Sequence, residues 1–225
     1  MYKLIADWLS MDAQASLADV QRALEKQNGL DQQPLLVSFL MSSRERSTMP
    51  GANYATSEQV FVTEGDEPRL GVFIAEDLLE RLPRAAKGLS LQHLPSLDDY
   101  CVVAEGISHF LCLAHRSDRE RAVSLFELEL QAEVDKFVHL NEKLALEPGS
   151  SDQAQLVDVL FERYALRDNL SSEEITRYRE ATRHAAKFCH RLSRQAEKKK
   201  SNSVMLEEAK SFFELTLAEK IRKAA

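Results

Sequence analysis

The sequence predicts an α+β fold that is predominantly α, with a small antiparallel sheet near the N-terminus and an α-helical C-terminal half. The first observation is a set of five segments with helical spacing of apolar residues, at 98–115, 122–145, 152–166, 171–198 and 203–223. The second is a pair of short alternating runs on either side of a Gly-Asp-Glu-Pro turn signal. The third is a length of 225 residues with 44% hydrophobic residues, which suffices for a sizeable core.

Two short helices are predicted ahead of the sheet. Apolar residues within 4–9 give the first helix one apolar side, and those at 17, 20 and 24 lie on one face of the second. Ser16 and Asp19 resemble a capping box at the start of the second helix. Asn28-Gly29 predicts its end, because glycine readily adopts the left-handed conformation that terminates helices.

The sheet is predicted to contain three strands. The apolar run Leu35–Met41 predicts the first strand, and the alternating residues at 60–62 and 70–74 predict a hairpin. Residues 42–57 lack an apolar period and contain proline and glycine, which predicts a mobile, solvated loop.

The helical region begins near residue 96. Ser171 and Glu174 form a capping box, which gives the segment 171–198 the clearest start of any helix. We expect a small α+β region, 1–95, and a helical region, 96–225, integrated as one unit, since the apolar segment 98–115 needs cover from both sides.

The charge is unevenly distributed. The net charge is −7, but residues 171–225 carry 13 Lys and Arg against 8 Asp and Glu, a net of +5, which leaves −12 for residues 1–170. An acidic body argues against a nucleic-acid binder, because phosphate neutralisation needs a concentrated basic field. The basic, amphipathic C-terminal helices predict a surface for a protein partner or for homo-oligomer formation. The simpler interpretations are attraction between the two halves of one molecule and ordinary solvated helix faces.

The cellular compartment follows from the cysteines and from the apolar runs. Cys101, Cys112 and Cys189 are odd in number and form no CxxC pair, which is typical of small buried hydrophobes in a reducing compartment. No apolar run approaches the roughly 20 residues needed to cross a bilayer. We therefore expect a cytoplasmic protein that does not enter a membrane.

One group of polar residues suggests a site. Glu105 and His109 are the strong polar groups of an otherwise apolar helix, and their spacing of four places them on one face. Glu133 occupies a position in the apolar stripe of the next helix, with Glu129 one turn earlier. In an antiparallel hairpin of these helices, residues whose numbers sum to about 236 lie at one level, so Glu105 faces 131 and His109 faces 127.

The group has three interpretations. Glu105, His109, Glu129 and Glu133 suit a hard-metal or acid–base site. A buried structural network of ion pairs and hydrogen bonds, with an arginine as partner, is the interpretation we favour. Alternatively the helix faces are misassigned, since the start of the second segment also fits a strand with its glutamates in water. His184 and His190 lie off the stripe of their own helix and are expected on the surface.

Two classes of function remain. The absence of a P-loop, a dinucleotide-binding fingerprint, a GxSxG motif and zinc-finger spacing favours a non-enzymatic interaction protein, an adaptor or a subunit of a larger cytosolic assembly. The alternative is a metal-dependent hydrolase or oxidase built on the Glu/His group. The sequence leaves the cofactor open. Liganding atoms converging at about 2.0 to 2.6 Å on one point would favour the second class, and an arginine there would favour a structural role.

Overall fold

The computed structural model describes residues 6, 8–63, 69–117, 119, 121–163 and 170–225. These residues form nine α-helices and one two-stranded antiparallel sheet, and 68% of them are helical, which confirms the predicted fold class. The elements are, in order, α1 Met11–Asn28, α2 Ser43–Arg46, β1 Glu58–Thr63, β2 Arg69–Ile74, α3 Glu76–Lys87, α4 Leu94–Ser117, α5 Leu125–Lys143, α6 Ser151–Val157, α7 Ser172–Lys199, α8 Ser203–Glu214 and α9 Leu217–Ala224. Within this part of the chain, no helix combines the length and the apolar character required to cross a membrane.

Helix α1 begins earlier than its sequence predicts. Ser10 caps it by accepting a hydrogen bond from the backbone N–H of Ala13, so the start predicted at Ser16 is wrong and Ser16 lies within the helix. The predicted end is confirmed, because Gly29 adopts a φ of 66° and donates its N–H to the last turn. Of the short helix predicted over residues 4–9, residues 4, 5 and 7 lie outside the described residues, and residues 6, 8 and 9 are not helical.

The predicted hairpin is confirmed, and the prediction of a further strand at Leu35–Met41 is wrong. Strands β1 and β2 pair antiparallel with Val60 opposite Val72, while the turn residues 65–68 lie outside the described residues. The run predicted as a strand forms a 3₁₀ turn, Leu36–Ser38, followed by a single bridge between Leu40 and Val72. Leu36 and Leu40 are buried but Ser38 between them is exposed, whereas in a strand all three side chains would lie on one face.

The segment 42–57 contains regular structure that its composition does not predict. Ser42 and Glu45 form a capping box at the start of the short helix α2. Arg46 is buried, and its guanidinium lies 4.0 Å from the centroid of the Phe73 ring. The prediction of an irregular loop is therefore wrong for residues 43–46.

Helix α5 lies at the centre of the molecule and is buried along most of its length. It packs against α4, α7, α8 and α1. Because buried polar groups need partners, its polar side chains reach several different neighbours. The pairs are Glu127 with Lys220 of α9, Glu129 with Arg177 of α7, Asp135 with Ser108 of α4 and Gln27 of α1, His139 with Tyr100 of α4, and Asn141 with Gln153 of α6.

The segment 203–223, predicted as one helix, forms two helices, α8 and α9. Thr216 and Glu219 form a new capping box, which ends α8 and begins α9. Met205, Phe212 and Phe213 are buried within the chain, where α8 contacts α1, α5 and α7. The large apolar residues of α8 are therefore covered by the protein itself.

Candidate metal centre between the sheet and the central helices

Helices α4 and α5 bring together three of the four residues proposed as metal ligands. Glu105 and His109 lie one turn apart on α4, and Glu129 faces them from α5. One potential ligand atom from each residue lies within 4.8 Å of the other two. The side chains of His109 and Glu129 are 5% and 9% exposed, whereas that of Glu105 is 23% exposed. The group is therefore buried on one side and reaches solvent through Glu105.

Glu58 of β1 also joins this group, although it was not among the residues predicted to form the site. Its Oε1 lies 3.2 Å from Nδ1 of His109, and its side chain is 9% exposed. Gly106 allows this approach, because a Cβ atom there would lie 2.9 Å from Cγ of Glu58 and 3.0 Å from Cδ1 of Ile74. A glycine inside an apolar helix was the available sequence signal for a close neighbour.

Among the residues that the structure describes, the other nitrogen of His109 has no hydrogen-bond partner. Nε2 is buried and lies 3.7 Å from Oε2 of Glu129, beyond hydrogen-bonding distance. When Nδ1–H donates to Glu58, Nε2 carries a lone pair directed toward the carboxylates. An imidazole oriented by a carboxylate at its far nitrogen is the usual arrangement of a metal-binding histidine.

The electrostatics of the group show what each carboxylate does. Burial lowers the pKa of His109, but the charges of Glu58, Glu129 and Glu105 outweigh burial and raise the pKa to about 9. Burial raises the pKa of Glu129 to about 7, despite the opposing charge of His109. The carboxylates therefore retain a cation among them, either the proton on the imidazole or an ion that displaces it.

Glu133, the fourth proposed ligand, is not among the three converging residues. Its Oε1 lies 2.9 Å from Nζ of Lys136, which also lies 2.9 Å from Oε2 of Glu105. Lys136 is one turn beyond Glu133 and fills the space between the two carboxylates. The antiparallel hairpin brings Glu129 within one turn of its predicted level, since it meets His109, which was placed opposite residue 127. Glu105 meets Lys136, five residues beyond the level predicted for it.

Arg177 of α7 is a second cation beside the group, in addition to Lys136. Its Nε lies 3.7 Å from Oε1 of Glu129. Together with Lys136, it supplies two positive charges against the four carboxylates at 58, 105, 129 and 133. Counted over these described residues alone, ionised carboxyls and a neutral imidazole leave a charge of −2, which one divalent cation would balance.

The other candidate residues lie outside this group. His190 is exposed as predicted, whereas His184 is partly buried, with its ring 6.2 Å from that of Phe126. Cys101, Cys112 and Cys189 are all free, and burial raises the pKa of the Cys112 thiol to about 11. A thiol with so high a pKa is a poor nucleophile, which agrees with the structural role predicted for the cysteines.

Comparison with known proteins identified no similar protein. The sequence matches no protein-family model and no curated protein, and the fold matches no solved structure.

Proposed function

We propose that the chain is a metal-dependent hydrolase or oxidase whose centre is one divalent ion held by Glu105, His109 and Glu129. The observation that carries this proposal is the convergence of their ligand atoms within 4.8 Å, with the unpartnered Nε2 of His109 among them. Three protein ligands are typical of catalytic sites, since they leave a coordination position for water or substrate. The partial exposure of Glu105 supplies an approach from solvent.

The donor set restricts the choice of ion. One imidazole and two carboxylates suit Zn²⁺, Fe²⁺ and Mn²⁺ better than they suit soft, thiolate-seeking metals. Such an ion, when bound, polarises a substrate oxygen and lowers the pKa of its water, and iron or manganese adds redox chemistry. The protein's own residues orient the imidazole through Glu58 and compensate the surplus carboxylate charge through Lys136 and Arg177.

Metal titration tests this proposal against a purely structural network. The full chain is treated with a chelator, titrated separately with Zn²⁺ and Mn²⁺, and analysed for metal after gel filtration. We expect one equivalent, and at least tenfold weaker binding by His109→Gln and by Glu129→Gln, which preserve side-chain size. His190→Gln is the matched control, because His190 is exposed on α7. Substoichiometric metal in the native chain, or unchanged affinity in His109→Gln, would assign the group to a structural network.

A second candidate function is the non-enzymatic interaction protein expected from the sequence. It is favoured by a basic row on the exposed face of α7, formed by Arg179, Arg183 and Lys187, which lines a shallow cavity of about 320 Å³ with Phe161. The partner would be acidic, and the −12 body of a second copy meets that requirement. A cytoplasmic location belongs to this proposal and is supported by the three free cysteines.

Sedimentation at two salt concentrations tests the second candidate. Charge-driven self-association is expected at about 50 mM salt and is expected to weaken at about 500 mM, since salt screens charges on exposed surfaces. Arg183→Glu combined with Lys187→Glu should abolish it, whereas Lys210→Glu on α8 should have little effect. A monomer under both conditions would exclude the homo-oligomer.

A further inference from the structure

Arg177 connects the candidate metal centre to a recess on the surface. The recess has a volume of about 680 Å³ and lies between the first turns of α5 and α7. Its lining consists of Leu125, Phe126, Ser172, Glu173, Thr176 and Arg177. The same arginine contacts Glu129 at 3.7 Å, so one guanidinium faces both the recess and the carboxylate group.

The guanidinium of Arg177 has unused hydrogen-bonding capacity. Among the described residues it makes no hydrogen bond, and its Nε is buried without a partner. A guanidinium carries five N–H donors in a planar fork, and leaving a buried donor unpaired is unfavourable. Nε faces Glu129 beyond hydrogen-bonding distance, so the two terminal nitrogens of the fork are the donors left for an anion in the recess.

The rest of the lining indicates what kind of anion fits. Leu125 is 55% exposed, and Phe126 lies beside it, so an apolar wall adjoins the guanidinium. Ser172 and Thr176 add hydroxyl groups. Glu129 and Glu173 are negatively charged neighbours of Arg177, and their repulsion disfavours a dianion such as a phosphate more than a monoanion.

We propose that this recess binds an organic monocarboxylate, with its carboxylate on Arg177 and its apolar body on Leu125 and Phe126. The inference that this recess is the substrate site of an enzyme rests on the proposed metal centre. Binding of the carboxylate itself depends only on the arginine and the apolar wall. Planar carboxylates match the guanidinium fork with two parallel hydrogen bonds, which an amide of the same shape does not reproduce.

The test compares three probes on the full chain, with and without added Zn²⁺. The probes are 4-phenylbutyrate, its uncharged amide and inorganic phosphate, and binding is measured by titration calorimetry. We expect 4-phenylbutyrate to bind at least tenfold more tightly than either of the others. Arg177→Gln should remove this preference, and Leu125→Asp should weaken binding of 4-phenylbutyrate. Arg179→Gln is the matched control, since Arg179 lies two residues further along α7 and lines the other cavity.

The outcomes separate this inference from the metal proposal. Metal content is measured on the same samples, and Arg177→Gln is expected to retain the ion because Arg177 is not a ligand. A chain that holds metal but binds the acid and the amide equally overturns the carboxylate site alone. A chain that lacks metal but prefers the acid through Arg177 retains the anion site and loses its role as an enzyme's substrate site. An equal loss in Arg179→Gln, or no measurable binding of 4-phenylbutyrate, also overturns the inference.

Discussion

Replacing Gly106 by alanine should disturb the candidate metal centre without removing any ligand. Helix α4 passes so close to β1 and β2 at this residue that an added Cβ would lie 2.9 Å from Cγ of Glu58 and 3.0 Å from Cδ1 of Ile74. Ile74 is fully buried, and Cγ of Glu58 lies near the backbone of a paired strand, so neither can yield cheaply. The helix and the hairpin must therefore separate.

Two opposing effects set the magnitude. Overpacking a well-packed core typically costs about 1 to 3 kcal/mol of unfolding free energy. Alanine gains roughly 0.5 to 1 kcal/mol over glycine inside a helix. Because two buried contacts are compressed, we expect a net loss of about 1 to 2 kcal/mol, which lowers the melting temperature by about 2 to 8 °C for a chain of this size.

Urea unfolding of Gly106→Ala measures the stability loss, and the ¹⁵N chemical shifts of the His109 ring report its pairing with Glu58. Gly88→Ala is the control, because a Cβ there meets only a backbone oxygen of Arg84 at 3.4 Å. Its stability should change by less than about 0.5 kcal/mol. A Gly106→Ala variant as stable as the wild type, with unchanged His109 shifts, would refute the close approach of strand and helix.

Three further predictions concern other residues. Glu58→Gln should weaken metal binding by about 10-fold to 100-fold in the titration above, because it removes the charge that orients His109, and unchanged affinity would deny Glu58 this role. Burial lowers the pKa of His139 from about 6.5 to about 4. Because the unfolded chain takes up this proton first, the free energy of unfolding should fall as the pH drops from 6.5 to 4, by about 3 kcal/mol over the whole range. Replacing both His139 and its partner Tyr100 by phenylalanine should remove this loss of stability, which is measured by urea unfolding at pH 5 and at pH 7.5. A double variant with the pH dependence of the wild type would contradict the assignment of the loss to His139. Trypsin should cleave the native chain at Arg44 earlier than at Arg46, because Arg46 is buried against Phe73. If mass spectrometry of the first fragments showed cleavage at Arg46, then α2 would open readily.

The sequence predicted the parts of the fold that depend on neighbouring residues. The capping box at Ser171 and Glu174 marked the start of α7, and alternation around Val60 and Val72 marked the hairpin. It did not predict α3, in which Pro83 interrupts the pattern of a short helix. In these cases the signal, or its disruption, lies within one or two turns of chain.

The candidate site was predictable only in part, because it depends on contacts between distant residues. Glu105 and His109 were identified by their isolation in an apolar helix. Glu58 could not be identified in this way, since it lies 51 residues from His109 and occupies an ordinary strand position. The pairing of Glu133 with Lys136, three residues further along the same helix, was also not foreseen, because the sequence does not show which neighbour a buried carboxylate contacts.

The polar side chains of α5 define which neighbour each side of this helix accepts. Glu127, Glu129, Asp135 and His139 pair with groups on four separate helices, α9, α7, α1 and α4. Apolar contacts have no direction, so they do not by themselves define the rotation of a helix about its axis. In this protein, a rotation of α5 by one residue, about 100°, would break all these polar pairs together. We therefore expect α5 to make alternative packings of the chain energetically distant, so that the protein forms one arrangement of its helices rather than several of similar energy.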